Sequence, residues 1–407
     1  MTAPLWSTAE LAAVLGDQTA STGDPVTGVA IDSRLVEVGD LFFALPGDPG
    51  PRFTVTTRSD RDGHDFAAAA LAAGAAAVVV ARVLPDLPRE RQWVVSDTLD
   101  ALWALAAARR AELTGPVVAV TGSSGKTTAK SFLAAATGWA ASAGSLNNHI
   151  GVPLSLARTP RSAPGAVFEI GMNHPGEIAP LSTLVRPDLA VVLNVQNAHA
   201  EAFSDPDGIR REKLSIAQGL APGGRLVLHD KVDPAGLPAG LRILRFGKTA
   251  SSAVQLLESL GDQAQFRVQQ STLTAVVPGG GEHRALTLAA VLTVLDALAV
   301  PLGAALTLPA SLVPQGRGNR RLAGGVEVVD DSYNANPGSM LATLTALGAE
   351  PVLAGARRFA LLGEMLELGA DSAAAHRALL PALEPFDGVW LVGEAMTELA
   401  GLLPGHR

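Results

Sequence analysis

Residues 117–130 read VVAVTGSSGKTTAK, and how they are read decides the fold. A β-branched run at 117–120 predicts a short strand, residues 122–125 a glycine/serine turn, and residues 126–136 a helix with Thr127 and Thr128 in its first turn. Strand, glycine-rich turn and helix are the context a phosphate-binding loop needs. The common pattern GxxxxGK[ST] asks for glycine where this chain has Val120. The physics asks only for backbone N–H groups converging at a helix start and a lysine for the β/γ-phosphates. Gly122, Ser123, Ser124, Gly125 and Lys126 meet that requirement, and the Thr127 hydroxyl is placed to serve Mg²⁺. The competing reading is a solvated Gly/Ser turn. Alone, the loop implies only a bound nucleoside triphosphate.

Outward from the loop, apolar strands at VVAV, AVFEIG, LAVVLNV and RLVLHD are separated by helical stretches. That alternation predicts an α/β fold with a mostly parallel central sheet. With 407 residues the chain is long enough for two or three domains. Gly115-Pro116 and the linker-like PASLVPQGRGN at 309–319 mark the candidate boundaries. We expect an N-terminal α/β domain over 1–112, a central nucleotide domain over 113–312 and a smaller C-terminal domain over 313–407. In the first, STAELAAVLG predicts a helix with Ser7 as N-cap and Glu10 completing a capping box. The apolar run at 66–81 is too short to span a bilayer and is broken by Gly74, so it reads as a helix followed by a buried strand. A helix is expected over 99–113. Residues 46–63, rich in Pro, Gly and Arg, read as a surface loop.

Composition excludes several classes. There is no cysteine, hence no disulfide, thiolate metal site or cysteine nucleophile. A net charge of -8 argues against a nucleic-acid partner, though not against a locally basic site for a small phosphorylated ligand. The N-terminus lacks the basic start and apolar stretch of a secretory signal, which points to a cytoplasmic protein without membrane insertion.

Transferring a phosphoryl group requires metal ligands near the loop. Glu169 ends an apolar strand, where open α/β sheets place ligand-contacting residues. His199 follows the next strand and is either a metal ligand or an ordinary loop histidine. Lys213, in IRREKLSIA, reads locally as a charge on the surface of a helix.

The blocks TGSSGKTTAK, LNNHIGVPLSL, FEIGMNHPGEIAPLSTLVRPDLAVVLNV, AHAEAF and DDSYNANPGSM, in this order, resemble the Mur ligases of peptidoglycan precursor synthesis. The resemblance covers nearly the whole chain, and the short serine-containing loop is the form that family uses. With DSRLVEVGDLFFALPG and GEMLELG, the pattern is most similar to the member that adds D-alanyl-D-alanine to UDP-N-acetylmuramoyl-tripeptide. The resemblance implies an ATP-dependent amide ligase acting through an acyl phosphate, monomeric, with a Rossmann-like C-terminal domain. It implies that Lys126 holds the β/γ-phosphates and that Thr127 and Glu169 bind one Mg²⁺. His199 corresponds to the ligand of a second Mg²⁺, and Lys213 to a lysine that the family carbamylates to support that ion. Arg317 corresponds to an arginine reaching the phosphates and Asp331 to an aspartate on the ribose. Tyr333, Asn334 and Asn336 fall in a motif near nucleotide and incoming amine, and Asn147, Asn148 and His149 in a segment facing the muramoyl-peptide. Ser33 and Arg34, with DGHDF at 62–66, match the region holding the UDP end. Plainer readings also stand: DSR as a turn cap, and Asn336-Pro337 as a helix start.

Three features depart from the family. Arg284 and Thr287 stand where it has asparagines, so adenine recognition is expected to differ. The loop at 46–63 is longer than usual. The family's late Lys-Gly-Ser motif is not present, which implies a shortened C-terminal domain. Two alternatives follow: a sibling ligase adding a single amino acid, or a nucleotide- and UDP-sugar-binding homologue without ligase activity.

Overall fold

The computed structural model describes residues 4–16, 20, 25–48, 60–196, 203 and 207–403. Its first third is built from α1 (Thr8–Leu15), β1 (Gly28–Ala30), β2 (Asp40–Phe43), α2 (Ala67–Ala72), β3 (Ala77–Val80), β4 (Gln92–Val94) and α3 (Thr98–Glu112). The four strands form a parallel sheet in the order β1-β2-β3-β4. The expected capping box starts α1, with Ser7 and Glu10 exchanging hydrogen bonds. The helix-then-strand reading of 66–81 also holds, with Gly74 at φ +107° between α2 and β3. The surface-loop reading at 46–63 falls largely outside the described residues. The base of that loop is closed, however, because the Gly47 amide donates to the Arg61 carbonyl at 2.8 Å.

The middle of the chain contains β5 (Val117–Thr121), α4 (Lys126–Thr137), β6 (Ala140–Ala141), α5 (Gly151–Ala157), β7 (Ala166–Glu169), α6 (Ile178–Val185), β8 (Leu189–Val192) and α7 (Gly208–Leu214). It continues through β9 (Arg225–His229), β10 (Arg242–Gly247), β11 (Val254–Leu260), β12 (Gln263–Val268), β13 (Ser271–Val276) and α8 (Glu282–Ala297). Nine strands make one sheet, ordered β13-β12-β11-β10-β9-β8-β5-β7-β6. It is parallel from β6 to β11, while β11, β12 and β13 pair antiparallel. β5 shows why helices cover both faces. Val118 and Val120 pack in the core with Phe132 and Leu133 of α4 and Leu288 and Leu292 of α8. Val117 and Ala119 pack in the opposite core with Val152, Leu156, Ile178 and Leu181. A strand buried on both faces needs an unbroken apolar run, and VVAV supplies it.

The last third comprises β14 (Asn319–Ala323), β15 (Val326–Asp330), α9 (Pro337–Ala349), β16 (Phe359–Gly363), α10 (Ser372–Arg377), β17 (Gly388–Val392) and α11 (Thr397–Leu402). β14 and β15 form a hairpin, and β16 and β17 pair in parallel over their own small core around Leu344, Met365, Phe386 and Leu399. No helix among the described residues is long and apolar enough to cross a membrane.

Candidate functional site

β5 has β7 on one side and β8 on the other, so chain connections diverge from it in opposite directions. Open α/β sheets leave a crevice at such a point, beyond the carboxyl ends of the strands. A cleft of about 360 Å³ opens there, lined by the loop at 123–126, Glu169, Asn147, Asn194 and residues of the last third including Arg317, Asp331 and Tyr333.

The loop is held from behind. Ser124 donates its amide to Asn194 Oδ1 at 3.0 Å, the Ser123 amide donates to the Asn194 carbonyl at 3.2 Å, and the Gln196 amide donates to Ser123 Oγ at 2.9 Å. The amides of Ser123 and Ser124 are thus engaged within the protein, and both residues line the cleft. What remains is the first turn of α4, whose N–H groups have no intrahelical acceptor. Gly125 sits at its N-cap with φ +80°, a conformation that favours glycine. Lys126 folds back so that Nζ donates to the Gly122 carbonyl at 2.8 Å. Burial lowers its pKa, the Glu169 carboxylate raises it, and Arg317 lowers it again.

Glu169, at the end of β7, is 1% exposed and fully engaged. Thr127 Oγ1 donates to its Oε2 at 2.8 Å, and Asn147 Nδ2 donates to its Oε1 at 2.8 Å. Lys130 Nζ lies 3.7 Å from Oε2. A buried carboxylate beside a hydroxyl is a hard-oxygen donor set of the kind Mg²⁺ accepts while keeping most of its waters. The chemistry of these two groups therefore fits the ion that the resemblance assigns to them.

Lys213 contradicts its local reading as a surface charge. It is 2% exposed, and among the described residues its hydrogen-bond partner is the weak acceptor Met172 Sδ at 3.9 Å. Burial drives its pKa well below the ordinary lysine value, the nearby Lys126 charge adds to that, and Glu212 opposes it. The Glu212 carboxylate accepts the amides of Gly176 and Ile178 at 2.8 Å each, which ties α7 to the start of α6. His199 lies outside the described residues.

Arg317 reaches across from the last third. Its Nη2 donates to Ser145 Oγ at 3.0 Å, its guanidinium stacks 4.0 Å from the Tyr333 ring centroid, and Ser145 Oγ is 3.1 Å from Thr127 Oγ1. Asp331 accepts from Thr343 Oγ1 at 2.7 Å and lines the cleft, as do Tyr333, Asn334 and Asn336. Asn336 is also the N-cap of α9, so the plainer reading of Asn336-Pro337 holds alongside the cleft position. Asn148 lines the cleft and accepts the Gly151 amide at 2.8 Å, whereas the His149 carbonyl accepts from Trp103 Nε1 at 2.9 Å.

Ser33 and Arg34 do not line this cleft. Arg34 forms a fork on Asp32, at 2.9 and 2.6 Å, and Asp32 caps the short turn over Ser33–Leu35, so the turn-cap reading describes their geometry. In DGHDF, burial pushes the Asp62 carboxyl up, but hydrogen bonds from His64 and Arg82 outweigh it and bring it down to about 2. His64 Nε2 accepts the Ala81 amide at 2.8 Å, which fixes the end of β3.

Three site residues escaped the sequence reading. Lys130 lies three residues after Thr127 on the same helix face, a spacing that signals it. Ser145 and Asn194 carry no comparable signal. Lys126, Lys130 and Arg317 gather positive charge around Glu169 on an acidic chain.

The chain matches the Mur ligase middle domain over residues 120–295 and the Mur ligase glutamate ligase domain over residues 316–404. It is 35% identical over 388 residues to the UDP-N-acetylmuramoyl-tripeptide–D-alanyl-D-alanine ligase of Escherichia coli K12, covering 90% of this chain and 81% of that one. The chain belongs to the Mur ligase family. Among solved Mur ligases, MurF from Acinetobacter baumannii superimposes with a TM-score of 0.80 at 30% identity, over 97% of this chain and 87% of that one. MurF from Thermotoga maritima in complex with ADP gives 0.76 at 30% identity, over 92% and 86%.

His283 in this Mur ligase faces the cleft from the first turn of α8. Burial, aided by the Arg284 charge, lowers its pKa from 6.5 to about 3. The folded protein therefore refuses a proton that the unfolded chain accepts, and stability is lost as pH falls from the unfolded value toward the folded one. Between pH 7 and pH 5 this amounts to about 2 kcal/mol. We expect the thermal midpoint to fall over that range and His283→Gln to flatten the fall. An unchanged slope in the variant would place the pH sensitivity elsewhere.

Proposed function

We infer that this chain joins D-alanyl-D-alanine to UDP-N-acetylmuramoyl-tripeptide at the expense of ATP, in peptidoglycan precursor synthesis. The observation that carries this is the E. coli relative of that name, matched over 90% of the chain. The Thr127–Glu169–Lys126 cluster at the sheet's crevice supports it.

The tripeptide's terminal carboxylate oxygen attacks the γ-phosphorus and ADP departs, leaving an acyl phosphate. The dipeptide amine then attacks the acyl carbon, loses a proton, and expels inorganic phosphate. Lys126 and Arg317 hold the phosphates and oppose the repulsion between two anionic reactants. Thr127 and Glu169 would hold one Mg²⁺, with His199 and carbamylated Lys213 serving a second, and these ions would neutralise charge on the transferring phosphoryl group. Asp331 orients the ribose. Asn147, Asn148 and His149 meet the muramoyl-peptide; Tyr333, Asn334 and Asn336 lie beside nucleotide and incoming amine. Ser33 and Arg34 receive the UDP end. The protein works in the cytoplasm, where ATP and UDP-linked precursors reside, as a monomer whose domains close on the ligands.

Phosphate release with ATP, Mg²⁺ and a panel of UDP-N-acetylmuramoyl-tripeptides is the test. Release should depend on D-alanyl-D-alanine. Release driven instead by single amino acids would make the chain a sibling ligase, and nucleotide binding without any release would make it an inactive homologue.

A further inference from the structure

Arg284 occupies a place where a cation is costly. It lies in the first turn of α8, whose N-terminal end carries partial positive charge, and it is half-buried. Burial lowers its pKa while Asp331 opposes that change. Both terminal nitrogens of its guanidinium are nonetheless bonded. Nη1 donates to the carbonyls of Gly279 at 2.8 Å and Gly280 at 3.1 Å, both on its own side of the cleft. Nη2 donates to the Arg317 carbonyl at 3.0 Å, in the segment that opens the last third of the chain.

That segment is shaped around the contact. Gly318 has φ +79°, a conformation that favours glycine, and the Arg284 guanidinium lies where its Cβ would be, Nη2 falling 2.0 Å from that position. The turn is pinned further by the Gly318 amide on the Asp330 carbonyl at 2.6 Å and the Tyr333 amide on the Gly316 carbonyl at 2.9 Å. From this fixed backbone the Arg317 side chain extends over Tyr333 to Ser145, one hydroxyl away from Thr127. A planar fork holds two separate donor nitrogens in one rigid geometry across a seam, which the single nitrogen of an ammonium does not.

We propose that Arg284 is a positioning residue that clasps α8 to the 316–318 turn and thereby aims the Arg317 guanidinium at the phosphate loop. This rests on the ligase reading for its kinetic readout only. Its consequence is that Arg284 acts through Arg317, so their effects must not multiply.

The test is a double-mutant cycle of Arg284→Gln and Arg317→Ala, read in kcat for dipeptide-dependent phosphate release and in Kd for a non-hydrolysable ATP analogue. Arg284→Gln alone should lower kcat roughly tenfold, and by less than about twofold once Arg317 is alanine. Arg284→Lys, which keeps the charge but loses the fork, should fall between wild type and Arg284→Gln. Thermal midpoints show which variants fold, and Arg284→Lys carries the cycle if Arg284→Gln does not. Equal factors in both backgrounds would overturn the proposal. If no variant, wild type included, releases phosphate on adding dipeptide, the ligase reading fails while the Kd cycle still decides the clasp.

Discussion

Replacing Glu169 with glutamine should abolish ligation while leaving the fold intact. The substitution preserves shape at a residue that is 1% exposed, so no cavity forms. Its two neighbours adapt: the Thr127 hydroxyl also faces Ser145 Oγ at 3.1 Å and can rotate, and the Asn147 amide can turn over. What cannot adapt is charge. Lys130 Nζ, 3.7 Å from the carboxylate, would be left with Ser142 Oγ and the Gly144 carbonyl as partners. Removing one member of a buried ion pair costs about 3 kcal/mol, so a lower thermal midpoint is expected. The catalytic loss should be far greater, on the order of a thousandfold in dipeptide-dependent phosphate release, with a higher Mg²⁺ requirement. Activity within threefold of wild type at ordinary Mg²⁺ would remove Glu169 from the phosphoryl-transfer site.

The strand, loop and helix at 117–137 were legible because each obeys a local rule: a β-branched run, a glycine turn, two threonines at a helix start. Glu169 was legible because a carboxylate closing an apolar strand conflicts with its surroundings unless used. The antiparallel edge β12–β13 was missed, although β12 alternates exposed and buried residues along its whole length. A period of two marks a half-exposed strand, unlike the continuous apolar runs of the buried parallel strands. The seam between Arg284 and Arg317 joins residues 33 apart, and no local pattern encodes a side chain reaching a distant carbonyl. The engagement of the Ser123 and Ser124 amides by Asn194 is likewise set by the packing of β8 beside β5. Lys213 is the sharpest case. IRREKLSIA surrounds it with charges that suggest solvent, yet α7 turns that one lysine inward beneath Met172.

That burial makes Lys213→Arg the second decisive variant. An ammonium here is opposed by desolvation and by Lys126, both of which lower its pKa. The neutral amine is therefore populated at lower pH than for an ordinary lysine, and only the neutral amine attacks CO₂. Attack forms an N–C bond, releases a proton and leaves a carbamate anion. The same Lys126 charge that repels the ammonium attracts this anion, while burial and the Glu212 carboxylate oppose it. Arginine keeps the positive charge and the stem but is not deprotonated in proteins, which blocks the reaction. We expect ¹³C-bicarbonate to give a carbamate resonance in the wild-type protein that is lacking in Lys213→Arg. Ligase activity of the variant should fall on the order of a thousandfold, by loss of a charge that supports the transferring phosphoryl group. In the wild type, activity in CO₂-depleted buffer should drop and recover on adding bicarbonate, with recovery greater as pH rises and more amine is neutral. The variant should not respond to bicarbonate at any pH. A wild-type enzyme indifferent to CO₂ and without a carbamate resonance would leave Lys213 as a neutral amine, acting through hydrogen bonding alone.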